Sequence, residues 1–150
     1  MNLSSEINFD TLLKSKGLKV TKHRTSVLKI ISGSKQPITA EEIYLKLKEE
    51  KVSINLSSIY KILESLSNNN VISKCVLGND NKTSYEMNTS EHKHHLICKC
   101  CKEVFAIGDC PLCAYEEMLK KNMEFDVTEH RLEIYGYCKH CKNQKTHASN

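Results

Sequence analysis

Three Cys-x-x-Cys pairs, Cys98/Cys101, Cys110/Cys113 and Cys138/Cys141, fall in the second half of a 150-residue chain. Two such pairs supply the four thiolates of a tetrahedral zinc site, which is closed and structural because no position is left for water or substrate. Disulfides are the competing use of eight cysteines, and compartment decides between the two. The N-terminal stretch MNLSSEINFD has neither the basic nor the apolar region of a signal peptide, and no run of 18 apolar residues is present, so the chain is expected in the cytoplasm, away from membranes. Thiols are kept reduced there, which favours metal ligands or redox groups. Spacing leaves open which two pairs join: 8 residues separate the first two and 36 separate the first from the third. Setting favours the first and third, since each ends or interrupts a strand-like segment while Cys110/Cys113 opens a helical one.

Charge divides the chain at about the same place. Residues 1 to 70 carry 11 Lys+Arg against 7 Asp+Glu, whereas residues 71 to 150 carry 11 of each. A basic, ligand-poor half therefore precedes a neutral, ligand-rich half, the pattern of two modules with separate jobs. The first half reads as four helices. INFDTLLKSKG ends at Gly17, TKHRTSVLKIISG offers Thr21 as N-cap and Gly33 as stop, and PITAEEIYLKLKEE has Thr39 and Glu42 at capping-box spacing. LSSIYKILESLSNNN starts at Ser57 or Ser58 and carries Ile59, Ile62, Leu63 and Leu66 at helical spacing. Two β-like pieces, VISKCVL and KTSYEM, follow around the turn sequence GNDN. Helices followed by a hairpin are the order of a winged helix, in which the last helix enters the DNA major groove. Ser57, Ser58, Tyr60 and Lys61 then sit at the start of that helix, with hydroxyls for phosphates, Lys61 for a phosphate or guanine and Tyr60 for a thymine methyl. Lys22 and Arg24 join them as candidate DNA contacts. An ordinary solvated helix start is the plainer explanation of these residues, and the charge split is what favours DNA.

The second half opens on the polar hinge NTSEHKHH and continues with strand-like HLIC and EVFAI, a short helix in CPLCAYEEMLKKN, and a long strand in FDVTEHRLEIYGYC. The tail KNQKTHASN reads as frayed, and His147 in it as idle. His92 and His94 alternate in an extended segment and point the same way. His130, Leu132 and Ile134 share a strand face, so His130 points inward. With Cys113 from the intervening helix, His92, His94 and His130 make a second, mixed nitrogen and sulfur metal site. Thiolate with imidazole suits Zn²⁺ better than iron or manganese, which prefer carboxylate-rich sites. Glu116 and Glu117, one turn beyond Cys113, are alternative carboxylate ligands.

HKHHLICKCC and HRLEIYGYCKHC, preceded by LKVTKHRTSVLKII, ITAEEIYLKL and LSSIYKILESL, resemble the ferric uptake regulator family of bacterial metal-responsive repressors over nearly the whole chain. The resemblance implies an α+β fold, with a winged-helix DNA-binding domain over residues 1–87 and a small α/β dimerisation domain over 88–150. It implies Cys98, Cys101, Cys138 and Cys141 as the structural zinc site. A homodimer on an AT-rich inverted-repeat operator in double-stranded DNA, its DNA-binding pose clamped by a regulatory metal, is part of the same implication. CPLC is most similar to the zinc uptake branch, with Fe²⁺ and Mn²⁺ the alternative regulatory metals. At the family's hinge site Pro37 and Lys93 stand where histidines are usual, and only Glu86 and His95 match, with Cys75 a substitute or simply a buried residue of the hairpin. This departure disfavours a peroxide sensor. Cys100 and Cys110 receive no role.

An enzyme is not expected. Neither the deaminase pattern HxE…PCxxC nor HExxH occurs, because CPLC carries its proline after the first cysteine. A zinc-ribbon interaction module would explain the cysteines but neither the four helices nor the hairpin.

Overall fold

The computed structural model describes residues 7–77, 81–89 and 93–145. The chain divides into two compact units, Met1–Asn88 and Thr89–Asn150. None of the described helices is long and apolar enough to cross a membrane.

The first unit is a winged helix. Helix α1 (Phe9–Ser15) is capped by Asn8, and the chain leaves it through Gly17 at φ +70°, a left-handed turn that favours glycine. Helix α2 (Lys22–Gly33) begins at Thr21, whose hydroxyl accepts the Arg24 N–H. Strand β1 (Ile38–Thr39) runs into α3 (Ala40–Glu49), where Thr39 and Glu42 form a reciprocal capping box. Helix α4 spans Leu56–Asn68. It starts ahead of the serines expected to open it because the Asn55 side chain accepts the Ser58 N–H at 2.8 Å and takes the N-cap. The asparagine run then stops it: Asn70 turns left-handed and the Val71 N–H closes onto Leu66 O at 2.9 Å. Strands β2 (Ile72–Val76) and β3 (Thr83–Met87) form the antiparallel hairpin, and the sheet order is β1-β3-β2. The two-residue β1 was not legible in the sequence, since Thr39 serves both as strand end and as cap. Val27, Leu28, Ile43, Ile59, Leu63 and Leu66 are fully enclosed in one core. At ~1.5–3 kcal/mol per buried aliphatic side chain, this unit has its own source of stability.

The second unit is built differently. Strand β4 (His94–Cys98) lies between antiparallel β5 (Val104–Ile107) and parallel β6 (Glu133–Gly136), and α5 (Cys113–Met123) lies in the crossover between β5 and β6. The long strand expected over FDVTEHRLEIYGYC is only these four residues, because β6 pairs with His95–Cys98 and with nothing upstream among the described residues. His130 therefore sits in an irregular segment rather than in strand alternation. Helix α6 (Lys139–Lys145) takes in the first four residues of the stretch expected to fray, and the other five lie outside the described residues. Its sequence shows no apolar stripe, and Cys141 is its only buried side chain among those described.

Apolar burial in this unit is sparse. Ile97, Cys98, Cys141, His94 and His95 are its buried residues among those described, and α5 buries none. Leu96 stands opposite Phe105 on one side and Ile134 on the other, so the three form a row across the sheet, and each is about two-fifths exposed or more.

Candidate metal centres and nucleic-acid face

Parallel pairing sets Cys98 beside Gly136. Cys98 ends β4, and Cys138 follows β6 by two residues, so the two Cys-x-x-Cys turns emerge at the same edge of neighbouring strands. The chain turns back after Cys98 through Lys102 at φ +63°, with the Lys102 N–H on Cys98 O at 3.0 Å, and α6 returns Cys141. The sulfurs of Cys98, Cys101, Cys138 and Cys141 all lie within 4.8 Å of one another. Zinc–sulfur bonds of ~2.3 Å in a tetrahedron imply sulfur–sulfur edges of ~3.8 Å. Cys101 and Cys138 are separated by 3.8 Å, so the donor set fits such an ion.

Electrostatics favours the same ion. The backbone N–H groups of Cys138 and Cys101 point at the Cys98 sulfur and hold its thiol down at about 6. Burial, with the neighbouring sulfurs adding to it, pushes the Cys141 thiol up. Four adjacent sulfurs cannot all ionise without a cation between them, and a divalent metal removes that conflict. Cys100, left without a role by the sequence, also touches Cys141 through its thiol.

A second cluster joins three separate segments. His94 opens β4, Cys110 precedes α5, and His130 precedes β6. The Nε2 atoms of the two histidines are 3.3 Å apart, and Cys110 Sγ is 3.3 Å from His130 Nε2. The imidazoles stack with centroids 5.0 Å apart. The Glu116 carboxylate, one turn into α5, meets His130 Nδ1. A carboxylate beside Nδ1 with Nε2 facing His94 and Cys110 is the arrangement by which an outer carboxylate orients a metal-binding histidine.

The structure brings part of the expected set together. His94 and His130 come together, but the thiol with them is Cys110 rather than Cys113. Cys113 is the exposed first residue of α5, and helical side chains lean toward the N-terminus. It meets Cys110 instead, and the hydrogen bond between their thiols raises the Cys113 pKa. The signal for Cys110 was its place three residues ahead of Cys113 across a helix start. Glu116 meets His130 Nδ1, and neither Glu116 nor Glu117 belongs to the group of converging donor atoms. His92 and His147 lie outside the described residues. Of the pair assigned to the hinge, Glu86 is on β3 of the first unit and His95 is buried on β4 of the second. Cys75, on β2, donates to Ser84 O at 3.5 Å.

On α4, Ser57, Tyr60 and Lys61 are exposed and Ser58 is half-buried. The Tyr60 hydroxyl donates to Glu41 on α3 at 2.7 Å, and that bond lowers the Glu41 pKa. Tyr60 is thereby held in place with its hydroxyl engaged. Lys22 is exposed at the start of α2, whereas Arg24 spends one N–H on Lys19 O at 2.8 Å, bracing the loop before α2.

Residues 15–135 match the model of the ferric uptake regulator family. The chain is 30% identical over 132 residues to the peroxide-responsive repressor PerR of Staphylococcus epidermidis, covering 88% of this chain and 87% of that protein. It is similar to the solved ferric uptake regulator of Vibrio cholerae, with a TM-score of 0.75 and 29% identity over 87% of this chain and 100% of that one. The Helicobacter pylori ferric uptake regulator, whose structure reveals three functional metal-binding sites, gives a TM-score of 0.75 at 25% identity over 89% of each chain. With most of its length matched in sequence and in fold, the chain belongs to the ferric uptake regulator family and is a metal-responsive transcriptional regulator.

Proposed function

We propose that the protein is a zinc-responsive repressor that binds AT-rich inverted-repeat operators as a homodimer and controls genes of metal uptake. The observation that carries the reading is the cluster of His94, His130 and Cys110. A soft thiolate with two imidazoles selects Zn²⁺ over the harder iron and manganese ions. Zinc there would act as a cross-link joining the start of β4, the approach to α5 and the segment before β6. The chain's residues do the rest: Glu116 holds the His130 tautomer, and a state that brings the ligands together gains population in proportion to its better affinity for the ion. Cys98, Cys101, Cys138 and Cys141 serve as the permanently filled structural zinc site.

The open row of Leu96, Phe105 and Ile134 is the surface offered to a second copy. Ser57, Ser58, Lys61 and Lys22 supply phosphate and base-edge contacts at the winged helix, with the Tyr60 ring against a thymine methyl. Anisotropy of a labelled AT-rich inverted-repeat duplex, under reducing conditions with buffered free Zn²⁺, Fe²⁺ or Mn²⁺, tests the reading. Binding is expected to rise with zinc, and its logarithm to fall linearly with the logarithm of salt at a slope of about −0.9 per phosphate neutralised. Equal activation by iron or manganese at its physiological free level would move the protein out of the zinc branch.

A further inference from the structure

We propose that Glu41 on α3 is a specificity-determining residue for operator recognition. By holding the hydroxyl proton of Tyr60 it leaves that oxygen able only to accept, so that Tyr60 reads A·T pairs through the adenine N6 amino group and the neighbouring thymine methyl. The proposal rests on the DNA-binding reading of the winged helix and names the side-chain pair that discriminates between base pairs there.

The bond between the two helices carries the argument. Ser57, Tyr60, Lys61 and Glu64 are exposed along α4 at helical spacing, on the stripe opposite the buried Ile59, Leu63 and Leu66. From that stripe the Tyr60 hydroxyl donates to Glu41 Oε1 at 2.7 Å. Ile43 of α3 and Ile59 and Leu63 of α4 are fully enclosed in the same core, which fixes the spacing of the helices that carry the pair. Glu41 lies in the first turn of α3, where the helix N-terminus favours a negative charge. Glu42, the other acidic residue of that turn, accepts from the Thr39 N–H at 2.8 Å and the Thr39 hydroxyl at 2.9 Å. Capping therefore uses Glu42, and Glu41 is the carboxylate turned to α4.

The count of donors and acceptors decides what Tyr60 can do. A phenol has one O–H hydrogen, and an ionised carboxylate only accepts. The bond from Tyr60 lowers the Glu41 carboxyl and raises the Tyr60 phenol, so near neutral pH the proton stays on the tyrosine and points at Glu41. What Tyr60 offers to DNA is then a lone pair. A phosphate oxygen has no hydrogen to give it, and guanine presents acceptors at N7 and O6. Adenine presents the N6 amino donor in the major groove, and its paired thymine presents the C5 methyl for the ring. Cytosine has an amino group but no methyl, so an A·T pair is the one that satisfies both ends of the side chain. Lys61, next on the stripe, carries donors only, and the two residues read different edges.

Charge has the complementary effect. A carboxylate near the phosphates weakens binding to every duplex alike, so Glu41 lowers indiscriminate affinity while sharpening the choice of base.

The test uses reduced full-length protein with buffered Zn²⁺, Fe²⁺ or Mn²⁺, whichever supports binding, and anisotropy of labelled AT-rich inverted-repeat duplexes. In each duplex of the series one adenine per half-site is replaced by purine, which lacks the N6 amino group, or its A·T pair by G·C. Unmodified protein is expected to lose ~5-fold or more in affinity at one purine position per half-site. Glu41→Ala and Tyr60→Phe should each shrink that loss to within ~2-fold, and the double variant should go no further, because Glu41 acts through the Tyr60 hydroxyl. Glu41→Ala should also bind a random-sequence duplex at least as tightly as the unmodified protein and tolerate G·C at that position better. Discrimination that survives Glu41→Ala, or that this change lowers by the same factor in the Tyr60→Phe background, overturns the proposal. Duplex binding with no position sensitive to purine overturns it too and leaves the DNA-binding reading standing. If unmodified protein binds no duplex with any of the three metals, that reading fails, and the proposal fails with it.

Discussion

Cys141→Ser is expected to unfold the second unit while leaving the first folded. The expectation follows from how unevenly the two units are stabilised. The first encloses a continuous aliphatic core from α1 to β3. The second has three short strands, a helix that buries none of its side chains, and Ile97 as its one buried aliphatic residue among those described. A unit of that size without a core needs a staple. A structural zinc site contributes apparent folding free energy of ~10–16 kcal/mol in small zinc peptides near neutral pH, far more than this sheet could recover from burial at ~1.5–3 kcal/mol per aliphatic side chain. Cys141→Ser removes one of the four converging sulfurs from a 3%-exposed position and leaves a hydroxyl among the other three. Calorimetry should lose the transition of the second unit and retain that of the first, and sedimentation should report monomer. A variant that stays dimeric with an unchanged melting profile would mean that the four sulfurs converge without a metal to hold.

His130→Ala should leave a folded dimer that no longer responds to zinc. His130 lies outside regular structure and belongs to no hydrophobic core, so its removal costs little packing. Its Nε2 is nonetheless the atom that both His94 and Cys110 approach at 3.3 Å, the centre of the cluster. Losing an outer-shell partner typically costs 10–100-fold in metal affinity, so losing this ligand should cost on the order of 100-fold or more, with Glu116→Gln in the smaller range. Cys110→Ala should match His130→Ala, and Cys113→Ala under reducing conditions should be milder. Zinc calorimetry on protein retaining its structural ion reads all four variants. The reverse ranking of the two cysteines would restore Cys113 as the ligand.

Much of the first unit was legible because its signals are local. The Thr39/Glu42 capping box and the Ile59, Leu63 and Leu66 face follow from spacing a few residues long. Asn55 was overlooked because two serines follow just beyond Leu56, and any of the three can cap; only backbone direction decides. The second unit is governed by contacts distant in sequence. A strand extends only where it has a partner, so the apolar alternation before Glu133 did not become β6. Helix α6 has no apolar periodicity to read, since what holds it in place is Cys141. Which of the two thiols stands beside His130 turns on how the chain enters α5, which ligand spacing does not encode. The meeting of Cys98 with Cys138 depends on the parallel pairing of β4 with β6, and apart from the family resemblance strand-end position was its trace in the sequence.

The most direct test of the account is to measure operator affinity and zinc stoichiometry in one titration, by native mass spectrometry of protein and operator duplex across buffered free zinc. Affinity is predicted to stay low while only the four-cysteine centre is filled and to rise at least ~10-fold as the second equivalent enters. An affinity that is already high with the first equivalent, and unchanged by the second, would contradict a sensing role for His94, Cys110 and His130.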